Sequence, residues 1–186
     1  TINGQQMNIW QACKYYCDEL TADGFTLAAD YLSNFSVNNE NSPENIFTIP
    51  LDKHLYKSQF QYLFRSRHYS HGGAFGTGSE NGACATISTV KTFGYGTKNV
   101  DKRYAYNLYS DTVRVDGNII YLESCKPLVH MPLAVELNLT NSPYIKTAGA
   151  RMAKYEVDRN AFNDGKSPDN DIVLFRYADV LLMKAE

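Results

Sequence analysis

Two helical patterns at the ends of the chain enclose a long middle rich in turn formers, and this order restricts the fold most. In residues 5–20 apolar side chains recur at three- and four-residue steps, which predicts an amphipathic helix. A second helix is predicted from Ile172 onward. Between them we predict few strands, with a short one at Ile46–Pro50 and a hairpin turning at Asp116-Gly117. This order argues against a β-sandwich or a doubly wound sheet and predicts a mainly α fold with extensive irregular loops and a few short strands.

The net charge and the aromatic content of the chain limit the kinds of function that we expect. The net charge is -2 and no block of Lys and Arg is present, so we predict no nucleic-acid partner. The chain has 14 Tyr and 9 Phe, and a tyrosine offers a flat apolar face with a hydroxyl tip. Such side chains suit a surface that stacks ligands, but a Tyr-rich core explains the same composition.

The cysteines do not indicate a metal site. They stand at positions 13, 17, 84 and 125, which fits no zinc-binding spacing. We predict free and mostly buried thiols, so cysteine usage does not identify the cellular compartment.

The best candidate for a binding segment runs from Arg67 to Gly82. It reads RHYSHGGAFGTGSENG, which mixes aromatic, basic and amide side chains with glycines and follows an aromatic and basic stretch over residues 55–69. Aromatic faces stack on the C–H side of sugar rings, while Asn, Arg, His and carboxylate groups bond their hydroxyls. We predict an exposed glycine-rich loop with these groups. The alternative is a tight turn with the aromatic side chains packed beneath it.

The sequence indicates a catalytic site less strongly than it indicates a binding segment. A glycosidase needs two facing carboxylates, but no local pattern pairs any two of the candidates Glu80, Asp101, Glu123 and Glu136. The chain lacks the GxSxG nucleophile elbow. His68 and His71 form an HxxH pair without a third ligand nearby. We therefore predict no catalytic residue, no metal and no cofactor.

Several motifs resemble one known family in order. Residues 169–186 read DNDIVLFRYADVLLMKAE, which resembles the signature that opens a late helix in the SusD/RagB family. Shorter matches precede it: residues 42–49 (SPENIFTI), residues 79–82 (SENG), residues 101–103 (DKR) and residues 154–155 (KY). Together these matches extend over nearly the whole chain.

The resemblance implies a SusD-like fold, in which tetratricopeptide-type helices carry an overlaid loop-rich region. Residues 1–22 would be the end of a helical-repeat block, residues 23–171 the loop-rich region with short strands, and residues 172–186 the start of a C-terminal repeat helix. We expect the chain to be a piece of a longer protein, because the last helical pattern ends without a cap. We also expect this piece alone to be poorly soluble, since it lacks most of the scaffold.

The resemblance also implies a function. Members of the family are non-catalytic lipoproteins on the outer membrane surface of Bacteroidetes, and they bind glycans for a SusC-like TonB-dependent transporter. The only membrane attachment would be an N-terminal lipid anchor absent from this chain. Alternatives are a peptide or glycopeptide binder, a purely structural transporter lid and, with least support, a polysaccharide-degrading enzyme.

The resemblance singles out four residues for carbohydrate binding. Tyr69 is similar in place to an aromatic residue that contacts ligand in some members, and Arg67, His71 and Asn81 would be its polar neighbours. Many members have Trp after the Asn-Gly pair, where this chain has Ala83. An aromatic platform is therefore lost there, which argues against a starch-like site.

Overall fold

The chain forms two compact units. The computed structural model describes residues 1–55 and 59–186, so Tyr56 of the aromatic stretch lies outside the described residues. One unit joins Thr1–Leu51 to Asn170–Glu186, and the other is Asp52–Asp169. The three-part division predicted from sequence stays a prediction. In the described part of the chain, no helix is long and apolar enough to cross a membrane.

The described part of the chain consists of mostly short helices and mostly two-residue strands, with four helices in succession before six strands in succession. In chain order the helices are α1 (Ile9–Ala22), α2 (Tyr62–Ser66), α3 (Tyr69–Ala74), α4 (Ile87–Thr92), α5 (Arg103–Asn107), α6 (Phe162–Gly165) and α7 (Tyr177–Ala185). The strands are β1 (Asn45–Ile49), β2 (Leu108–Tyr109), β3 (Asp111–Thr112), β4 (Arg114–Val115), β5 (Asn118–Ile119), β6 (Val129–His130), β7 (Arg151–Met152) and β8 (Ile172–Arg176). They pair antiparallel as β1 with β8, β2 with β7, β3 with β6 and β4 with β5. The predicted class, mainly helical with extensive loops and a few short strands, is confirmed.

Helix α1 begins at Ile9 because Asn8 caps it. The Asn8 side chain accepts a hydrogen bond from the Gln11 backbone N–H at 2.9 Å. In return the Gln11 side chain accepts one from the Asn8 backbone N–H at 3.0 Å. This reciprocal pair satisfies N–H groups that the first turn leaves without helical partners. The helix predicted over residues 5–20 is therefore present, but it begins and ends later.

The core of the first unit lies where α1 packs against α7. Cys17, Tyr177 and Val180 are buried there. Ile46 of β1 and Leu181 pack against them. The apolar stripes of the two helices therefore face each other, as their helical periodicity predicts.

The prediction that the last helix starts at Ile172 is wrong. Residues Ile172–Arg176 form β8, whose Ile172 and Val173 stand opposite Ile49 and Thr48 of β1. The β-branched pair at the start of this segment suits a strand better than a helix. The helix begins at Tyr177, directly after the strand, where the Asp179 carboxylate accepts the Arg176 N–H at 2.9 Å.

The second unit has a small core and a predicted hairpin. Val90, Leu108 and Ala150 are buried together with Ala85 and Tyr104. Strands β4 and β5 pair across Asp116 and Gly117, so the hairpin predicted at this dipeptide is confirmed. Both turn residues have positive φ, 50° and 81°. This is the type I′ pattern that Asp-Gly favours.

The glycine-rich segment is not the continuous loop that we predict from sequence. Gly72 and Gly73 lie inside α3, and the irregular chain begins after it. A Cβ at Gly72 would lie 2.7 Å from the Gly78 carbonyl oxygen. A glycine is therefore needed at this position for close approach of the backbone rather than for a turn.

All four cysteines are free thiols in the structure. Cys17 is buried, Cys13 and Cys84 are half-buried and Cys125 is exposed. The prediction that most of them are buried is therefore wrong. Cys125 adopts a φ of 57° in a tight turn, which places its side chain at the surface.

Candidate functional site

The segment from Arg67 to Gly82 folds back on the end of α2. The Asn81 N–H donates to the Arg67 carbonyl at 2.9 Å, and the Gly82 N–H donates to the Arg65 carbonyl at 2.8 Å. Helix α3 starts after His68, whose side chain accepts the Ser70 N–H at 3.1 Å. Backbone bonds thus hold Asn81 close to the chain that leads into Tyr69.

Tyr69 presents its ring to solvent from the first turn of α3. Its side chain is 59% exposed, although the preceding His68 is buried. The two rings lie 5.4 Å apart between centroids at a tilt of 60°. An exposed aromatic face on a buried support is suited to stacking against the apolar face of a sugar ring.

Asn81 is the predicted polar neighbour that stays near the surface. Its backbone is in the left-handed region at a φ of 53°, which Asn tolerates better than most residues. Its side-chain oxygen is buried and has no hydrogen-bond partner among the described residues. Of the four predicted site residues, Tyr69 is therefore the one whose side chain is largely open to solvent.

Arg67 and His71 lie beneath the surface. They are 1% and 0% exposed. The Arg67 guanidinium donates to the Thr77 hydroxyl at 3.3 Å and lies 5.5 Å from the Phe75 ring centroid. The His71 ring meets Tyr109 edge-on at 4.5 Å. In this conformation both side chains pack inside the segment. That they contact a ligand stays a prediction, and their burial argues against it.

A buried basic cluster in the second unit escapes sequence analysis. Burial, followed by the charges of Arg67 and His68, lowers the pKa of His71 to about 3. Burial and the nearby Arg151 lower the pKa of His130 to about 3 as well. Both histidines are therefore neutral at neutral pH. The sequence gives little indication of this cluster, because His130 and Arg151 lie far along the chain from the segment that runs from Arg67 to Gly82.

The candidate acidic groups make local ion pairs. Arg103 hydrogen-bonds Asp101 and lowers the pKa of that carboxyl to about 2. Glu80 lies 3.6 Å from Arg65, and Lys146 lies 3.7 Å from Glu123. A general acid needs a raised pKa, so Asp101 does not suit that role. In residues 1–55 and 59–186, no group of three or more His, Cys, Asp or Glu side chains is placed to hold a metal ion.

A cleft of about 430 Å³ in the second unit also lies outside the predicted set. Its walls include Tyr95, Asp111, Met131, Leu133 and Tyr144. One sequence signal points to it, since Tyr95 stands between two glycines. The other walls come from segments well apart in sequence, which no local motif connects.

Comparisons with known proteins point to one fold. No protein-family model matches the chain. No curated protein shows a significant match either. Solved structures do match, and they belong to proteins with a stated ligand class.

One of them is the surface glycan-binding protein A from Bacteroides uniformis, with a TM-score of 0.59 and 15% identity. A second is a SusD-like carbohydrate-binding protein from Bacteroides fragilis, with a TM-score of 0.55 and 18% identity. Each match covers 95% of this chain but only 32% and 36% of the other, so the chain spans about a third of their length. At such identities the likeness shows the fold alone, and the chain therefore has a SusD-like fold.

Proposed function

We propose that this protein is a non-catalytic glycan binder of the cell surface, which delivers polysaccharide or oligosaccharide to a TonB-dependent transporter of the outer membrane. The observation that carries the proposal is the exposed ring of Tyr69 above a buried support, with Asn81 held beside the same backbone. An exposed aromatic platform can stack a sugar ring, and polar groups near it can bond the ring's hydroxyls. The SusD-like fold supports this interpretation, because two proteins with this fold carry glycan-binding or carbohydrate-binding names.

The test is a binding screen of the intact protein against plant, host and fungal polysaccharides. Affinity gels or calorimetry measure binding, and a reducing-sugar assay in the same tubes measures hydrolysis. We expect binding to at least one polysaccharide without release of reducing sugar. Release of sugar would replace the proposal with an enzyme, and binding of peptides alone would replace it with a peptide binder.

The role of Tyr69 is tested by Tyr69→Ala. Loss of the stacking face is expected to weaken glycan binding about tenfold, which is at the upper end of a single aromatic contact. Tyr121→Ala is the matched control, because Tyr121 is 52% exposed and lies outside the segment. Equal loss in both variants, or in neither, would remove Tyr69 from the site and favour a structural lid.

The transporter partner and the location are also part of this proposal. The motifs that resemble the SusD/RagB family support both, together with the observed fold. Affinity purification of the intact tagged protein from solubilised outer membranes should recover a TonB-dependent transporter. Recovery of the protein in the soluble fraction without such a transporter would contradict this part of the proposal.

A further inference from the structure

The cleft beside β3 is built from four separate segments of the second unit, of which the last carries Tyr144. Strand β3 brings Asp111 opposite His130 at the end of β6. The chain then turns at Met131, whose carbonyl accepts the Ala134 N–H at 3.0 Å. The third segment carries Tyr95, which follows α4. The walls are therefore tied to secondary structure on two sides, which keeps the cleft formed without a ligand.

The floor of the cleft has a carboxylate with spare acceptor capacity. Asp111 accepts a hydrogen bond from the Tyr95 hydroxyl at 3.0 Å on one oxygen and from the Ser110 hydroxyl at 3.0 Å on the other. An ionised carboxylate can accept about four hydrogen bonds. Since Asp111 is exposed, its remaining lone pairs face solvent. Two or more ligand hydroxyls could therefore bond to it.

Tyr95 is fixed as a second polar group. Burial, and then the hydrogen bond with Asp111, raise the pKa of Tyr95 to about 12. The phenol therefore keeps its proton at any physiological pH and stays bonded to the carboxylate. Its ring lies 5.2 Å from that of Tyr104 in the core of the unit. The phenol oxygen can still accept a hydrogen bond from a ligand.

The other residues that line the cleft are mostly apolar or aromatic. Met131 and Leu133 are 39% and 48% exposed, so they leave apolar surface open in the cleft. Tyr144 completes this lining on a fixed backbone, because its N–H donates to the Ser142 hydroxyl at 3.2 Å and its carbonyl accepts the Ala148 N–H at 2.8 Å. A sugar ring, with an apolar C–H face and hydroxyl groups at its edge, matches such walls.

We propose that this cleft is a second carbohydrate site of the protein, in which a neutral sugar ring packs against Tyr144 and Leu133 and bonds Asp111 and Tyr95 through its hydroxyls. The inference rests on the proposed function and adds a binding site to it. None of the described residues that line the cleft belongs to the segment around Tyr69. A volume of about 430 Å³ is within the usual range for small-ligand sites.

The charge of the cleft selects among ligands. The Asp111 carboxylate repels uronic and sialic acids, so acidic sugars are disfavoured. Asp111 is the one charged side chain among the described residues that line the cleft, and the rest of the lining is mostly apolar or aromatic, which favours a ligand with an uncharged apolar face.

The test is calorimetry of the intact protein with neutral pentasaccharides of glucose, mannose and xylose, with trigalacturonic acid and with trilysine. The cleft variants are Tyr144→Ala and Asp111→Asn. Asparagine keeps the shape of the side chain and tolerates the φ of 55° at this position. We expect each variant to weaken binding of a neutral pentasaccharide about tenfold. Tyr121→Ala should leave the affinity unchanged, and circular dichroism checks that every variant is folded.

The results of this test distinguish a failure of the cleft proposal from a failure of the proposed function. If the native protein binds a neutral sugar and both cleft variants bind it equally well, the cleft is not a site and the proposed function stands. If no neutral sugar binds, the cleft proposal falls, and the polysaccharide screen decides the proposed function separately. Binding of trilysine or trigalacturonic acid in place of neutral sugars, lost in Asp111→Asn or Tyr144→Ala, would overturn the assignment to a neutral ligand.

Discussion

His71 and His130 are both fully buried in the second unit, where neither ring reaches solvent. Burial is the largest cause of their lowered pKa values, and nearby arginines add to it. When a histidine has a lower pKa in the folded protein than in the unfolded chain, the free energy of unfolding depends on pH. His71 belongs to α3, the helix that also presents Tyr69, so loss of its packing would also disturb the proposed binding surface.

We predict that acid destabilises the second unit. In the unfolded chain these histidines bind protons near pH 6.5, but in the folded protein only near pH 3. Between those values the unfolded state binds more protons, so stability is full above about pH 6.5 and falls as the pH is lowered. From about pH 7 to about pH 5 each histidine should reduce the free energy of unfolding by about 2 kcal/mol.

Urea unfolding of the intact protein at both pH values measures this effect. The variant His71→Gln cannot take up the proton, so its stability should depend less on pH. His54→Gln is the control, because His54 is exposed. An equal pH dependence in the native protein and His71→Gln would contradict the prediction.

At the scale of elements, one buried ion pair joins the two strands of the first unit. Arg176 at the end of β8 donates to Glu44 at 2.6 Å, just before β1. The other Glu44 oxygen accepts from the Asn34 amide at 2.8 Å and from the Ala28 N–H at 3.0 Å. Glu44 is 3% exposed, so its charge is compensated by these partners rather than by solvent.

We predict that Glu44→Ala reduces the free energy of unfolding by about 3–5 kcal/mol, because it leaves the Arg176 charge without its carboxylate partner. Glu40→Ala, at an exposed position, should change it by no more than about 0.5 kcal/mol. Chemical denaturation of the three proteins measures the difference. A loss of under about 1 kcal/mol in Glu44→Ala would show that solvent replaces these bonds.

At the scale of the whole molecule, the first unit leaves apolar side chains of its helices in solvent. Ile9 and Trp10 of α1 are 77% and 67% exposed, and Leu182 of α7 is 68% exposed. Trp10 lines a shallow groove of about 300 Å³ with Met183. Contiguous apolar surface of this kind favours association.

We predict that the isolated 186 residues associate through this surface. The double change Trp10→Ser and Leu182→Lys should shift the chain toward monomer in light scattering. Val100→Ser is the control, since Val100 is 42% exposed elsewhere. A monodisperse native chain with one sharp cooperative melt would contradict the prediction.

Sequence patterns correctly predicted the elements whose formation depends on neighbouring residues in the chain. The Asp116-Gly117 hairpin follows from two positive φ angles, and α1 follows from its apolar stripe. The strand β8 was missed because its helix-like pattern gives way to pairing with β1, which lies far away in sequence. The exposure of Tyr69 agrees with the predicted surface role, while the burial of Arg67 and His71 depends on packing against Thr77, Phe75 and Tyr109.

The sequence by itself determined the class of the fold, the family that it resembles and the segment that holds Tyr69, because periodicity, turn residues and contiguous motifs are local properties. Only the tertiary structure decided which polar groups remain at the surface and which segments meet. Asp111, Tyr95 and Tyr144 form one cleft because strand pairing and loop closure bring together residues that are distant along the chain. Burial and proximity between such residues are long-range properties, and no single segment contains them.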